Sequence, residues 1–315
     1  MNIHQIKSTY AIFLKFSVLS ILFTTTLTIN NASASLTDHL IFKPNQTPFA
    51  DCPLADQQGF QKISKHLQIE GKDELVRFYF KDNPSPRILV IDFHGVEGRA
   101  CDRLPYLTKL YYGQGRIAAD IALAVVEYPG YAGDSISPSE ERILANTKAL
   151  LAFISQINTA QSPVVLYGES LGTAVATYAA SISSIFSTSS PNTNSNTGPS
   201  ALNNIAGVIL QSPFTSIVEV AKHHYPYLPV GLFISSKFNA YQWAANVTVP
   251  VIGLHGTSDS FIPIAIGKQQ MSYFTRSSKT VWVEVPGAEH DTIFNSPLYW
   301  EKVEEFFLLL NFSIY

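Results

Sequence analysis

The chain is poor in charge. Of its 315 residues only 14% are Asp, Glu, Lys or Arg, and the two signs nearly cancel, 24 acidic against 21 basic. A formal net charge of -3 provides no basic field with which to hold nucleic acid. Cysteine is scarcer still, with two in the whole chain. No CxxC pair and no HExxH run occurs, and the adjacent His223 and His224 point apart on any regular element, so no metal site is expected. Neither Cys52 nor Cys101 has a base placed for it by any motif, which removes a thiol nucleophile. Beyond the first 30 residues no apolar run reaches membrane-spanning length; the cluster at 306–310 is far too short. No cofactor is called for.

Apolar content is ample: 46% of the residues are hydrophobic, enough for one large core. Apolar runs of about five to seven residues alternate with longer periodic stretches, the pattern of βαβ units. This predicts an α/β fold with a mostly parallel central sheet and helices on both faces. Residues 140–157 place Ile143, Leu144, Leu150, Leu151 and Ile154 at helical spacing, and residues 297–311 read as a closing helix.

Within this pattern lies Gly168-Glu169-Ser170-Leu171-Gly172, after the apolar run 164–167 and before the helix-like stretch 173–180. A serine on a sharp strand-to-helix turn exposes its hydroxyl, and side chains at the flanking glycines would crowd the backbone. The helix start adds unpaired N–H groups and a positive dipole end. A nucleophilic serine needs a base, and the base an orienting carboxylate. Among the later histidines, His290 stands in a Pro-Gly loop after the alternating run 279–285. Asp259 stands in the loop after the apolar run 249–254. Ser170, Asp259 and His290 therefore all fall at carboxyl ends of predicted parallel strands, where open α/β sheets place their sites. His94 and His255 each precede a glycine at a strand end and read as loop-fixing residues. Glu169 reads as a packing or solvent-facing residue at the site entrance, and Tyr131, Asp134 and Ser135 as a loop that braces the site or touches substrate.

From Arg87 onward the chain resembles an α/β-hydrolase, more narrowly the branch of small serine hydrolases of Bem46 and ABHD12/13/17 type. The resemblance rests on the motifs above and on three further segments. Asp92-Phe93-His94-Gly95 resembles the strand end before the oxyanion loop. Glu127-Tyr128-Pro129-Gly130-Tyr131-Ala132-Gly133-Asp134-Ser135, followed by Pro138-Ser139-Glu140, resembles the family's DYRGYGxS…PSE segment. Ser212-Pro213-Phe214-Thr215-Ser216 resembles its strand exit. The chain departs from the family at Val96, where Asn is frequent, and at Glu289, where Gly commonly precedes the triad histidine. The resemblance implies an oxyanion hole of backbone N–H groups, those of Leu171 and Val96.

Three segments flank or interrupt the core, 87–315. Residues 1–34 pair Lys7 and Lys15 with an apolar run and a small-x-small end at Ala32-Ser33-Ala34. They read as a cleaved export signal, or as a retained anchor if Lys15 snorkels. Either way the catalytic core is expected outside the cytosol, as a periplasmic, secreted or lumenal protein. An N-terminal arm with the first strands, 35–86, follows. Cys52 and Cys101 either form one disulfide between this arm and the oxyanion loop or remain two thiols. A Ser/Asn-rich stretch, 184–203, reads as a mobile surface loop. An aromatic-rich stretch, 222–245, sits where hydrolases insert a lid. Tyr225, Tyr227 and Phe233 there either line an acyl pocket, touch a membrane surface, or merely cover the sheet.

The expected chemistry is acyl transfer to water from an ester or thioester, with lipid or fatty-acyl substrates favoured by the aromatic lid. A peptidase-like hydrolase and a catalytically silent ligand-binding protein on the same fold are the alternatives.

Overall fold

The computed structural model describes residues 32–69, 71–83, 88–112, 121–158, 161–187 and 204–310. Eight strands form the central sheet: β2 (Gln61–Ile69), β3 (Lys72–Lys81), β4 (Ile88–Phe93), β6 (Ile121–Glu127), β7 (Val164–Glu169), β8 (Ile205–Gln211), β9 (Val251–Gly256) and β10 (Thr280–Val285). Their order is β10-β9-β8-β7-β4-β6-β3-β2. All neighbours from β10 through β6 run parallel, whereas β3 pairs antiparallel with both β2 and β6. Residues 35–86 thus complete the same sheet rather than form a separate unit.

The central strands are apolar on both faces because both faces are covered. Alternate residues supply two cores. Leu89, Ile91 and Phe93 of β4, with Val164 and Leu166 of β7, pack under α4 (Glu140–Ile157) and α5 (Leu171–Ser187). Ile88, Val90, Val165, Tyr167 and Ile209 face the opposite layer, where Leu104 and Leu107 of α3 (Leu104–Tyr112) and Val303, Phe306 and Phe307 of α9 (Pro297–Leu309) close over them. Each such side chain, fully buried, contributes about 1.5–3 kcal/mol. The helix expected at 140–157 forms over those residues; Ser139 caps it, its hydroxyl accepting the Arg142 N–H at 3.4 Å.

The N-terminal arm lies along the mouth of the sheet. After α1 (Ala32–Ile41), β1 (Lys43–Pro44) pairs in parallel with β5 (Glu97–Gly98), and α2 (Pro53–Gln57) follows. Cys52 and Cys101 are disulfide-bonded, with Cα atoms 5.9 Å apart, which resolves the choice between bridge and free thiols. Residues 1–31, on which most of the export-signal reading falls, lie outside the described residues; the expected cleavage point at Ala34 falls inside α1. No helix among the described residues is long and apolar enough to cross a membrane.

Two segment boundaries are corrected. The helix after Ser170 runs to Ser187, so 184–187 belong to α5, and the rest of the polar stretch, 188–203, lies outside the described residues. The lid stretch begins inside a helix, since α6 (Ile217–His224) carries residues 222–224 as its last turn; its remainder holds a short 3₁₀ turn and α7 (Ala240–Ala244).

The Cys52–Cys101 bridge closes a loop of sequence separation 49. A Cys52→Ser/Cys101→Ser double variant is expected to lose about 4 kcal/mol of stability and roughly 10 °C in Tm. Thermal melts of the two proteins check this, and equal midpoints would show that the bridge carries no stability.

Candidate active site

Ser170 follows β7 with φ +51°, in the left-handed region where a side chain is strained by about 1–3 kcal/mol. The strain is held by the backbone around it. Ser170 N–H donates to the Gln211 carbonyl at 2.9 Å, and the Ser170 carbonyl accepts from the Thr173 N–H and hydroxyl at 2.9 and 2.6 Å. The flanking glycines answer to contact rather than to φ. A Cβ on Gly168 would stand 2.3 Å from the Gly172 carbonyl oxygen, and one on Gly172 would stand 1.9 Å from the Phe93 carbonyl oxygen. The end of β4 therefore lies directly against the start of α5. A Cβ on Gly95 would meet the Ser170 Cβ at 3.4 Å, so the His94-Gly95-Val96 loop passes beside the serine. Among the described residues no acceptor engages the N–H of Leu171 or of Val96. Leu171 N–H is free because it opens a helix.

Asp259 and His290 come from the loops after β9 and β10. These loops are locked together: Thr257 N–H donates to the Val285 carbonyl, Ser258 N–H to the Ala288 carbonyl (both 3.0 Å), and Gly287 N–H to the Thr257 hydroxyl at 2.8 Å. A Cβ on Gly256 would stand 2.2 Å from the Ala288 carbonyl oxygen. Asp259 Oδ1 accepts the N–H groups of Phe261 and Ile262 at 3.0 and 2.8 Å, and Oδ2 accepts from His290 Nδ1 at 2.8 Å. His255 Nε2 lies 3.3 Å from the same oxygen and donates to the Ile262 carbonyl at 2.8 Å. His255 is thus a fixing residue of the acid loop.

Burial alone would raise the Asp259 carboxyl; hydrogen bonds from His255, His290 and Ile262 outweigh it and hold the group well below the usual carboxylate range. Burial would lower His290, but the Asp259 hydrogen bond and charge, with Glu169 and Asp291 behind it, hold it above the ordinary histidine value. With Nδ1–H committed to Asp259, Nε2 is left as the basic nitrogen. Ser170 and His290 are not hydrogen-bonded to each other among the described residues, and such bonds often tighten only with substrate bound.

Other expected site residues stand elsewhere. Tyr131 is wholly buried, and its hydroxyl donates to the Val96 carbonyl at 2.8 Å; it braces the His94–Val96 loop and presents no surface for a substrate to touch. Asp134 pairs with the buried Arg77 at 3.3 Å. Tyr225 is half-buried, whereas Tyr227 is 97% and Phe233 44% exposed, so neither of these two lines an enclosed pocket. The aromatic ring beside His290 is Phe261, with centroids 5.0 Å apart, and its carbonyl accepts from His224 Nε2 at 2.8 Å. Glu169 faces neither solvent nor packing alone. It pairs with the buried Arg103, which also holds Asp92 at 3.2 Å. Burial raises the Asp92 carboxyl, against the pull of the Arg103 charge. Neither Arg103 nor Phe261 carried a motif by which sequence could single it out.

No family model matches the chain. It is 28% identical over 230 residues to α/β-hydrolase domain-containing protein 17C of Xenopus tropicalis, covering 72% of this chain and 64% of that protein. It is 27% identical over 252 residues to the lysophosphatidylserine lipase ABHD12 of Danio rerio, covering 73% and 60%. An uncharacterised Mycobacterium tuberculosis protein is 27% identical over 172 residues, and the chain spans about half, 53%, of that relative. Among solved structures, Est1E from Butyrivibrio proteoclasticus superposes with TM-score 0.56 at 17% identity, covering 79% of this chain and 99% of that one. An esterase of Pyrococcus furiosus superposes with TM-score 0.59 at 12% identity, covering 86% and 97%. The chain has the α/β-hydrolase fold. By sequence it resembles ABHD12 and the ABHD17 proteins.

The raised His290 value sets the pH behaviour. Its charged form is the one Asp259 favours, so this contribution to stability is full below the unfolded value of about 6.5 and is lost as pH rises through the folded one. The Asp259 contribution is full above about pH 4 and lost as pH falls through its depressed value. Both are present together between about pH 4 and 6.5. A base must be neutral, so kcat/KM for an ester is expected to rise on an acid limb whose apparent pKa lies above about 6.5, and Asp259→Asn to lower kcat by about 10⁴. A limb at or below that value in the unsubstituted protein contradicts the assignment.

Proposed function

We propose that the protein is a serine hydrolase that cleaves carboxylic ester or thioester bonds of acyl substrates through a Ser170–His290–Asp259 triad. The observation that carries this reading is the 2.8 Å His290 Nδ1 to Asp259 bond, on loops locked at the same end of the sheet as the strained Ser170 turn. His290 Nε2 takes the Ser170 proton as Oγ attacks the carbonyl carbon. The N–H groups of Leu171 and Val96 hold the oxyanion. As the tetrahedral adduct collapses, the alcohol or thiol leaves with the proton from His290. Water, deprotonated by His290, then attacks the acyl-serine, and collapse of the second adduct returns the proton to Ser170 and releases the acid. No step needs a metal or cofactor.

An acyl chain suits the surroundings. Phe261, 48% exposed, stands beside His290, and Tyr227 and Leu232 project from the cap 97% and 82% exposed. The exposed Phe261 ring beside His290 favours a lipid or fatty-acyl ester over a polar one, and the exposed Tyr227 and Leu232 allow peripheral contact with a lipid surface. The disulfide fits an exported protein.

The test is hydrolysis of p-nitrophenyl esters from acetyl to palmitoyl by the protein and its Ser170→Ala variant. Activity is expected to rise toward medium or long chains and to fall by about 10³-fold or more in the variant. No turnover at any length, with no fluorophosphonate labelling of Ser170, would replace the hydrolase reading with that of a silent ligand-binding protein.

A further inference from the structure

Arg103 is buried, and its guanidinium bonds across two strand ends. Strand register explains how. Asp92 of β4 stands opposite Tyr167 of β7, and Glu169 lies two residues past Tyr167, on the same face of the sheet. Arg103 sits over that face, its guanidinium 5.8 Å from the centre of the Tyr167 ring. Nε and Nη2 donate to the two Asp92 oxygens at 3.3 and 3.2 Å, and Nη1 pairs with Glu169 Oε2. A planar fork can hold both carboxylates at once; the single ammonium of a lysine cannot. The root of the side chain is fixed too. Arg103 closes the 3₁₀ turn Ala100–Arg103, in which Cys101 is bridged to Cys52 and Ala100 N–H donates to Glu127 Oε2 at 3.1 Å.

We propose that Arg103 is a positioning residue of the reaction, clamping the Glu169–Ser170 turn to the end of β4 and fixing the carboxylate beside the nucleophile. The proposal rests on the serine-hydrolase reading above. The two oxyanion donors of that reading belong to the two segments that Arg103 joins, since Leu171 follows the β7 turn and Val96 follows β4. Their spacing depends on how these two strands end against each other. On the β8 side the turn is tied by the backbone, Ser170 N–H to the Gln211 carbonyl at 2.9 Å; on the β4 side Arg103 supplies a tie. The clamp has an electrostatic side as well. Burial works against the charged form of His290, and the carboxylates of Asp259, Glu169 and Asp291 favour it, with His255 behind Asp259. That form arises as Ser170 attacks. Of the three carboxylates, Glu169 is the one that Arg103 holds.

Two variants separate position from charge. Arg103→Lys keeps the charge and loses the fork. Expected on p-nitrophenyl butyrate are a fall of about tenfold in kcat with KM within about twofold and the acid limb unmoved. Ki for a trifluoromethyl ketone that forms the tetrahedral adduct is expected to rise about tenfold. Glu169→Gln keeps an oxygen for Nη1 and loses the charge. Its acid limb is expected to move down by about half a pH unit with kcat within about threefold. His290 is expected to titrate lower by the same amount in ¹⁵N spectra of the histidine-labelled variant. A merely structural role would lower Tm in both variants and move neither Ki nor the limb. Unchanged kcat and Ki in Arg103→Lys, a loss there taken up by KM, or an unmoved His290 titration in Glu169→Gln overturns the proposal. If Arg103→Lys does not fold, the Glu169→Gln results decide. Should the unsubstituted protein hydrolyse no ester, the hydrolase reading falls, while the His290 titration still decides whether the carboxylate held by Arg103 acts on it.

Discussion

The contact between Gly172 and the Phe93 carbonyl leaves no room for a methyl group, and the geometry of the site follows from that closeness. It presses the first turn of α5 against the end of β4. Two chain segments far apart in sequence are thereby placed around Ser170: the helix start with its free Leu171 N–H, and the His94–Val96 loop. The left-handed Ser170 backbone is one consequence, since the chain must turn sharply between a strand and a helix packed this tightly on its neighbour. Gly168 and Gly256 make similar approaches at the ends of β7 and β9. Groups placed by backbone contact move less than groups placed by side chains, which is the rigidity that the proposed oxyanion donors need.

A tight strand-end site also concentrates charge where water is excluded. Asp92 lies near the end of a fully buried strand, and its cost is offset only because Arg103 reaches it and Glu169 together. Glu169 sits next to Ser170, so the ion pair ties that turn to the 3₁₀ turn Ala100–Arg103 that follows the His94–Gly98 loop. Removing Arg103 would leave two carboxylates facing one another in a dry layer, a far larger penalty than the pair is worth as an attraction. Of these two carboxylates, Glu169 also contributes to holding the His290 value up. Through Glu169 the buried Asp92–Arg103 pair and the Asp259–His290 pair belong to one electrostatic network.

What could be read in the sequence follows from how far apart the partners are. The β7 run, the Gly168–Gly172 turn and the periodicity of α4 are local patterns, and they translate directly into elements. The order Ser170, Asp259, His290 could be read because each follows an apolar run that ends at one edge of the sheet. Pairings such as Arg103 with Asp92 and Glu169, or Glu127 with His94, leave no periodic trace, because they join loops and strands whose proximity only the sheet order creates. Tyr131 shows the same limit. A tyrosine in a Gly-rich loop near a site suggests substrate contact, but its ring fills the core and its hydroxyl satisfies a backbone carbonyl. The lid aromatics show a related limit: an aromatic-rich stretch does not say whether its side chains turn inward, and Tyr227 and Phe233 stand exposed.

The N-terminal arm is easily taken for an appendage, since the resemblance to known hydrolases begins only near Arg87. Its contacts argue otherwise. Lys43 N–H donates to the Val96 carbonyl and Asn45 N–H to that of Gly98, both at 2.9 Å, while Arg99 binds the carbonyls of Thr47 and Pro48 at 3.0 and 2.9 Å. At its other end Asp38 accepts from Ser235 and Ser236 at 3.0 and 2.7 Å, and Phe42 packs on Phe238. One segment therefore joins residues 235–238 to the loop 96–99, and the disulfide anchors it just past that loop. The Val96 carbonyl is held from outside by the arm and from inside by Tyr131. A loop with no regular structure beyond two residues of β5 acquires its rigidity from these two sides. In this chain the position of residues 94–99 beside Ser170 is a product of the arm as much as of the sheet.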